Sequence, residues 1–202
     1  MNMKRSILFL LASVAMLAGC SREGKFTVRG TLDDVRFPAA DSVRIVYETM
    51  EKPLQAAVLN NAFTIKGTVA EPTIAKLSTV GTERRNTRVF ILEKGEITFR
   101  DGQVSGTPLN DSTQAFMMRL SDISKQYAGQ QEELRKAIEG EYTAFVSRHP
   151  NDPCAIYAIM IAYRRVNPAF LLKLIESTSA SIRNDMEIHP LYTRLKMMSR
   201  DE

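Results

Sequence analysis

The chain has 202 residues, 27 basic and 23 acidic side chains, a formal net charge of +4, two cysteines and no tryptophan. A polyanion needs a clustered basic face, which this nearly balanced charge does not supply, so nucleic acid is excluded as the expected partner. Two thiols make no disulfide framework, and stability is expected from a packed core, for which this length suffices.

Lys4 and Arg5 precede an apolar run from Ile7 to Leu17, which Leu17-Ala18-Gly19-Cys20 closes. The run falls short of the roughly 20 apolar residues that a bilayer-spanning helix requires, so residues 1–19 read as a secretory signal to be removed. Ala18 and Gly19 let an extended backbone enter a peptidase, and the Cys20 thiol then carries diacylglycerol. The tetrapeptide resembles the bacterial lipobox at all four positions. Several acyl chains hold a protein firmly on a leaflet where a single chain does so only marginally, so the membrane is the first expected partner. Neither Asp nor Glu stands at position 21 or 22. By analogy with lipoprotein sorting, Ser21 then favours the outer membrane, with residues 20–24 as a lipidated linker. Loss of Lys4 and Arg5, with no acid, brings the mature chain closer to neutrality.

From Lys25 to Gly106 the pattern has period two. Phe26, Val28, Gly30 and Leu32 alternate with Lys25, Thr27, Arg29 and Thr31, as a half-buried strand requires. Val43, Ile45 and Tyr47 repeat the pattern. Val58-Leu59 and Phe63, Ile65, Gly67, Val69 flank Asn60-Asn61, residues that tolerate positive φ, and the two runs are expected to pair as a hairpin. Further runs at 74–79, 88–92, 96–100 and 103–105 are separated by Gly81, Lys94-Gly95 and Asp101-Gly102, the last a type I′ turn signal. Seven or eight short strands over 25–106 predict an antiparallel β-sandwich.

After Thr107 the period becomes 3.6. Pro108 follows a Thr cap, and Phe116, Leu120, Ile123 and Tyr127 share a helix face that Gly129 ends. A second helix carries Leu134, Ile138, Tyr142 and Phe145 and stops at Pro150. Asp152-Pro153 and Asn167-Pro168 each set a cap before a proline, starting two more. A last helix begins near Pro190, so residues 107–202 are expected to form a helical domain.

These segments resemble the N-terminal region of Bacteroidetes lipoproteins that carry a domain of unknown function, DUF4369, ahead of a thioredoxin-like domain. The resemblance rests on Cys20 followed by Phe26-Thr27-Val28-Arg29-Gly30-Thr31-Leu32, on Asn61-Ala62-Phe63-Thr64-Ile65-Lys66-Gly67 and on Phe90-Ile91-Leu92-Glu93-Lys94-Gly95. Val104 to Asp111 and Arg148-His149-Pro150-Asn151-Asp152-Pro153 extend it over nearly the whole mature chain. It implies an envelope lipoprotein. The redox activity of the two-domain relatives is not implied, because exchange needs a resolving thiol and no Cys-x-x-Cys occurs here.

Cys154, beside a helix start, reads as a small buried cysteine. His149 and His189 each precede proline in a turn, without metal-ligand spacing. Arg84, Arg85 and Arg88 sit around an inter-strand loop and are candidate contacts for an anionic glycan or lipid headgroup, against the blander reading of a solvated loop. Met117, Met118, Met160, Met197 and Met198 read as core filler. No nucleophile–base pair or phosphate loop is apparent, so no catalytic, cofactor or metal residue is assigned. The expected function is a non-enzymatic, membrane-anchored binding module for an envelope protein, glycan or peptide, with service to thiol–disulfide proteins, or glycan or peptide capture by the sandwich, as the alternatives.

Overall fold

The computed structural model describes residues 24–48, 50–81 and 86–200; the expected signal and Cys20 lie outside the described residues, as do Arg84 and Arg85. Strands come first: β1 (Gly24–Thr31), β2 (Ser42–Tyr47), β3 (Leu54–Ala57), β4 (Ala62–Val69), β5 (Thr73–Val80), β6 (Thr87–Leu92), β7 (Gly95–Arg100) and β8 (Gln103–Ser105). A one-turn helix, α1 (Leu32–Val35), interrupts them after β1. Six helices follow: α2 (Pro108–Gln126), α3 (Gln131–Arg148), α4 (Pro153–Ala162), α5 (Pro168–Glu176), α6 (Ala180–Arg183) and α7 (His189–Met198). The chain is therefore mixed α and β, with two sheets rich in antiparallel pairs.

The strand orders are β4-β1-β7-β8 and β3-β2-β5-β6. One pair, β1 with β7, is parallel, which corrects the wholly antiparallel expectation. Alternation sends Phe26, Val28, Phe63 and Ile65 of the first sheet and Ile45, Leu77, Phe90 and Leu92 of the second into one buried cluster. Phe90 and Phe99 meet edge-on across the sheets at 5.4 Å. Each such side chain, once buried, stabilises the fold by roughly 1.5–3 kcal/mol.

The expected hairpin at Asn60-Asn61 is also corrected. Both residues do adopt positive φ, 51° and 66°, but only the bridge Leu59↔Ala62 closes the turn. β3 pairs with β2, and β4 pairs with β1. Pairing with β1 matches β4 from Gly24↔Val69 to Thr31↔Ala62, its whole length, which the shorter β3 does not offer. Asp101-Gly102 makes the expected tight turn, with φ of 52° and 81°.

Leu32, expected at the end of the first strand, instead opens α1. The helix starts at a reciprocal cap: Thr31 Oγ1 accepts from the Asp34 N–H at 3.0 Å, and Asp34 Oδ2 accepts from the Thr31 N–H at 3.0 Å. Asp34 Oδ1 also accepts from the Asp101 N–H at 3.1 Å, tying α1 to the β7–β8 turn.

The helices pack on the far side of the second sheet. Ile74 and Ile91 are cross-strand partners whose side chains join the helical core with Phe116, Ala155 and Ile159. Phe90, Ile91 and Leu92 are all 0% exposed because both faces of β6 are covered there. Within the helices, Phe116 stacks on Phe145 at 4.2 Å and meets Tyr142 edge-on at 5.3 Å.

A buried polar joint fixes α2 against β6. The Asn110 amide accepts from the Ile91 N–H at 3.1 Å and donates to the Ile91 carbonyl at 2.7 Å, as a neighbouring strand would. Glu93 Oε1 accepts from the N–H groups of Leu109 and Asn110 at 2.9 and 3.2 Å. The Thr107 side chain makes no cap bond; Glu93 supplies the negative charge that a helix N-terminus favours. Gly106, at φ +98°, makes the preceding corner, where a Cβ would collide with the Glu96 carbonyl.

Asp152 and Asn167 cap α4 and α5 through the N–H groups of Cys154 and Phe170, both at 2.8 Å. Met118, Met197 and Met198 are 54%, 60% and 51% exposed, which corrects the core-filler reading for those three. Among the described residues, no helix is long and apolar enough to cross a membrane.

Candidate functional site

The largest concavity described opens where α4 and α7 meet the β6 margin, with a volume of about 840 Å³. That lies within the roughly 300–1,000 Å³ typical of ligand pockets. Its apolar floor is Val89 from β6, Met160 and Ile161 from α4, and Leu191 from α7. The apolar run of α4 places these residues here: its other faces carry Ala155, Ala158 and Ile159 into the core, leaving Met160 and Ile161 half-covered.

The rim is cationic. Arg164 and Arg165 follow Tyr163, the C-cap residue of α4, and Arg194 comes from α7. Arg194 Nη2 donates to the Tyr163 hydroxyl at 2.8 Å, with the guanidinium 5.5 Å from the Tyr163 ring centroid. The acid lining the groove, Glu187, is paired with Lys76. Burial raises the Tyr157 phenol above its ordinary pKa, with Arg165 and Arg88 working against the rise. Burial also pushes the Tyr142 phenol up to about 12, opposed by Arg165. The Tyr142 hydroxyl is fully enclosed and, among the described residues, has no partner within hydrogen-bond geometry, though Arg165 lies near enough to act on it. Both phenols therefore stay neutral at ordinary pH, and the groove carries a net positive charge over an apolar floor.

A second constellation lies at the α3–α4 turn. Ser112 Oγ and His149 Nε2 are 2.9 Å apart, and His149 Nδ1 and Asp152 Oδ2 are 2.8 Å apart. This is a nucleophile–base–carboxylate chain, contrary to the expectation that no nucleophile–base pair exists. The missed signal was the spacing His149-x-x-Asp152; nothing in the sequence placed Ser112 beside it, because α2 and α3 must first pack together.

The same three residues also tie together the start of α4 and the α3–α4 turn. Asp152 caps α4 with its other oxygen, the His149 ring lies 4.7 Å from that of Phe145, and neither Ser112 nor His149 lines the groove. Cys154 is fully buried, its thiol donating weakly to the Leu109 carbonyl at 3.7 Å. Burial, reinforced by Asp152, holds the thiol far above its ordinary pKa and therefore protonated. The donor atoms of His149, Asp152 and Cys154 fall within 4.8 Å of one another. A metal bound there would displace the thiol proton.

Of the three arginines singled out from the sequence, Arg84 and Arg85 lie outside the described residues, and Arg88 Nε donates to the Val35 carbonyl at 2.7 Å. His189 is the first residue of α7. In sequence Arg164 and Arg165 resemble an ordinary charged helix end, and Arg194 joins them only in the fold. No family model, curated protein or solved structure matches the chain.

Proposed function

We propose that the chain is a non-catalytic lipoprotein of the cell envelope, held on the outer membrane through acylated Cys20 and working as a binding module. On this reading, residues 25–106 are a β-sandwich and 107–202 a helical domain, as in the DUF4369-bearing lipoproteins it resembles. The groove is the observation that carries the reading: an open apolar floor with a cationic rim, not lined by Ser112, His149 or Asp152, suits capture rather than turnover. Service to thiol–disulfide proteins is the alternative form, and the buried, protonated Cys154 limits that service to recognition. Capture of a glycan or peptide by the sandwich through Arg88 has less support, since its Nε is already engaged.

The test is in-cell photo-cross-linking of the full-length lipidated protein from position 163, at the groove, against position 66, on the outward face of β4. A reproducible partner captured only from position 163, and lost in Cys20→Ala, is the expected result. The same spread of products from both positions would defeat the reading.

A rival reading, serine hydrolase, draws on the 2.9 Å and 2.8 Å links from Ser112 through His149 to Asp152. A fluorophosphonate probe is expected to leave the native protein unlabelled. Labelling that disappears in Ser112→Ala would reverse that part of the proposal.

A further inference from the structure

β6 is an edge strand, since the order β3-β2-β5-β6 leaves it one side without a strand neighbour. Its register with β5 runs unbroken from Thr73↔Leu92 to Ser78↔Thr87. The Ile91 N–H and carbonyl both bond to Asn110 and so face away from β5. Residues in an antiparallel ladder alternate between facing their partner strand and facing away. Val89, two positions earlier with no bulge between, therefore turns its N–H and carbonyl to the same open side. Among the described residues, no backbone or side-chain group is seen bonding to them from that side. Asn110 thus occupies one strand-pairing position, and the next one, at Val89, a residue that lines the groove, has no partner among the described residues.

We propose that the groove takes an extended acidic peptide segment, which adds to β6 as a further strand at Val89 and sets its side chains against the apolar floor and the arginine rim. The proposal rests on the binding-module reading and supplies its partner class. In strand addition, main-chain hydrogen bonds provide affinity and pockets for alternate side chains provide selectivity. With a period of two, every second side chain of the added strand enters the groove, where an apolar residue suits Met160, Ile161 and Leu191 and a carboxylate two positions away suits Arg164, Arg165 or Arg194. Guanidinium groups suit carboxylates, which they bind in a two-pronged fork. Glu187 does not repel such a segment, because Lys76 neutralises it. A second copy of this chain is a poor occupant, since the same arginines would face one another.

The experiment is calorimetric titration of the full-length protein in detergent with the end-blocked hexapeptide Glu-Thr-Val-Thr-Glu-Thr, whose glutamates and valine share one strand face. Saturable binding is expected, weakened at least about tenfold when lysine replaces glutamate and by a similar factor when alternate backbone nitrogens are methylated, a tenfold change being the step that one lost interaction of ordinary strength produces. The double variant Arg164→Glu, Arg194→Glu should lose binding with its thermal unfolding unchanged. The methylated peptide tests strand pairing on the unaltered protein, so a folding defect in the variant leaves the test intact. Equal binding of the methylated peptide, or binding of laurate with none of the peptide, would overturn the proposal while leaving the groove as a ligand site. Loss of groove-specific cross-linking in cells would instead defeat the broader reading.

Discussion

The seam between the second sheet and the helices has two stretches built from the same materials, and they end differently. Around Asn110 and Glu93 every polar group named finds a partner within the protein, and the seam is closed. Around Val89, Arg164 and Arg194 the same seam lines a concavity instead. Where polar groups are satisfied internally, a seam contributes stability; where they are not, it is available to something else.

The largest expected effect comes from the apolar support of the closed stretch. Phe116→Ala removes the ring packed between Tyr142 and Phe145 and should cost about 4 kcal/mol in urea unfolding. Asn110→Ala leaves the Ile91 N–H and carbonyl buried without partners and should cost about 2–3 kcal/mol. A loss near zero for Asn110→Ala would mean that this stretch is no more closed than the other. Cys154 offers a kinetic version of the same question: a thiol reagent at pH 8 should modify it only after unfolding, because the native thiol is enclosed and protonated.

Asp34, away from the seam, sharpens the comparison as a pH control. Burial works against its charge, but the Asp101 N–H and the Thr31 hydroxyl and N–H outweigh that and hold the carboxyl below its ordinary 3.8. Its contribution is therefore fully present above about pH 4 and lost as pH falls through the lower, folded-state value. Asp34→Asn should flatten the acid limb of a stability–pH curve measured by thermal unfolding. The smallest effect belongs to the open stretch: Arg164→Ala should change stability by no more than about 0.5 kcal/mol, whatever it does to binding.

Local signals carried much of the fold. Alternation located the strands, Asp101-Gly102 turned as its residues require, and the Asp152-Pro153 and Asn167-Pro168 pairs opened α4 and α5. Strand partners were less legible, because Asn60-Asn61 reports a sharp turn without saying which sheet follows it. α1 and α6 are four residues each, too short to show a helical period. The site was barely legible: Val89, Arg164 and Arg194 come from three separate elements, and each alone resembles ordinary strand or surface. Ser112, His149 and Asp152 were hidden for the same reason.

Ile74 and Ile91 belong to strands but are covered by helices, and this bears on the order in which the chain matures. Synthesis delivers the strands first, so a sheet assembled early carries a bare greasy strip until α2 and α4 arrive. A chain cut after Gly106 would keep that strip permanently and should clump rather than stay dispersed. In the intact chain the strands and helices are expected to melt together in one transition, as a single folding unit.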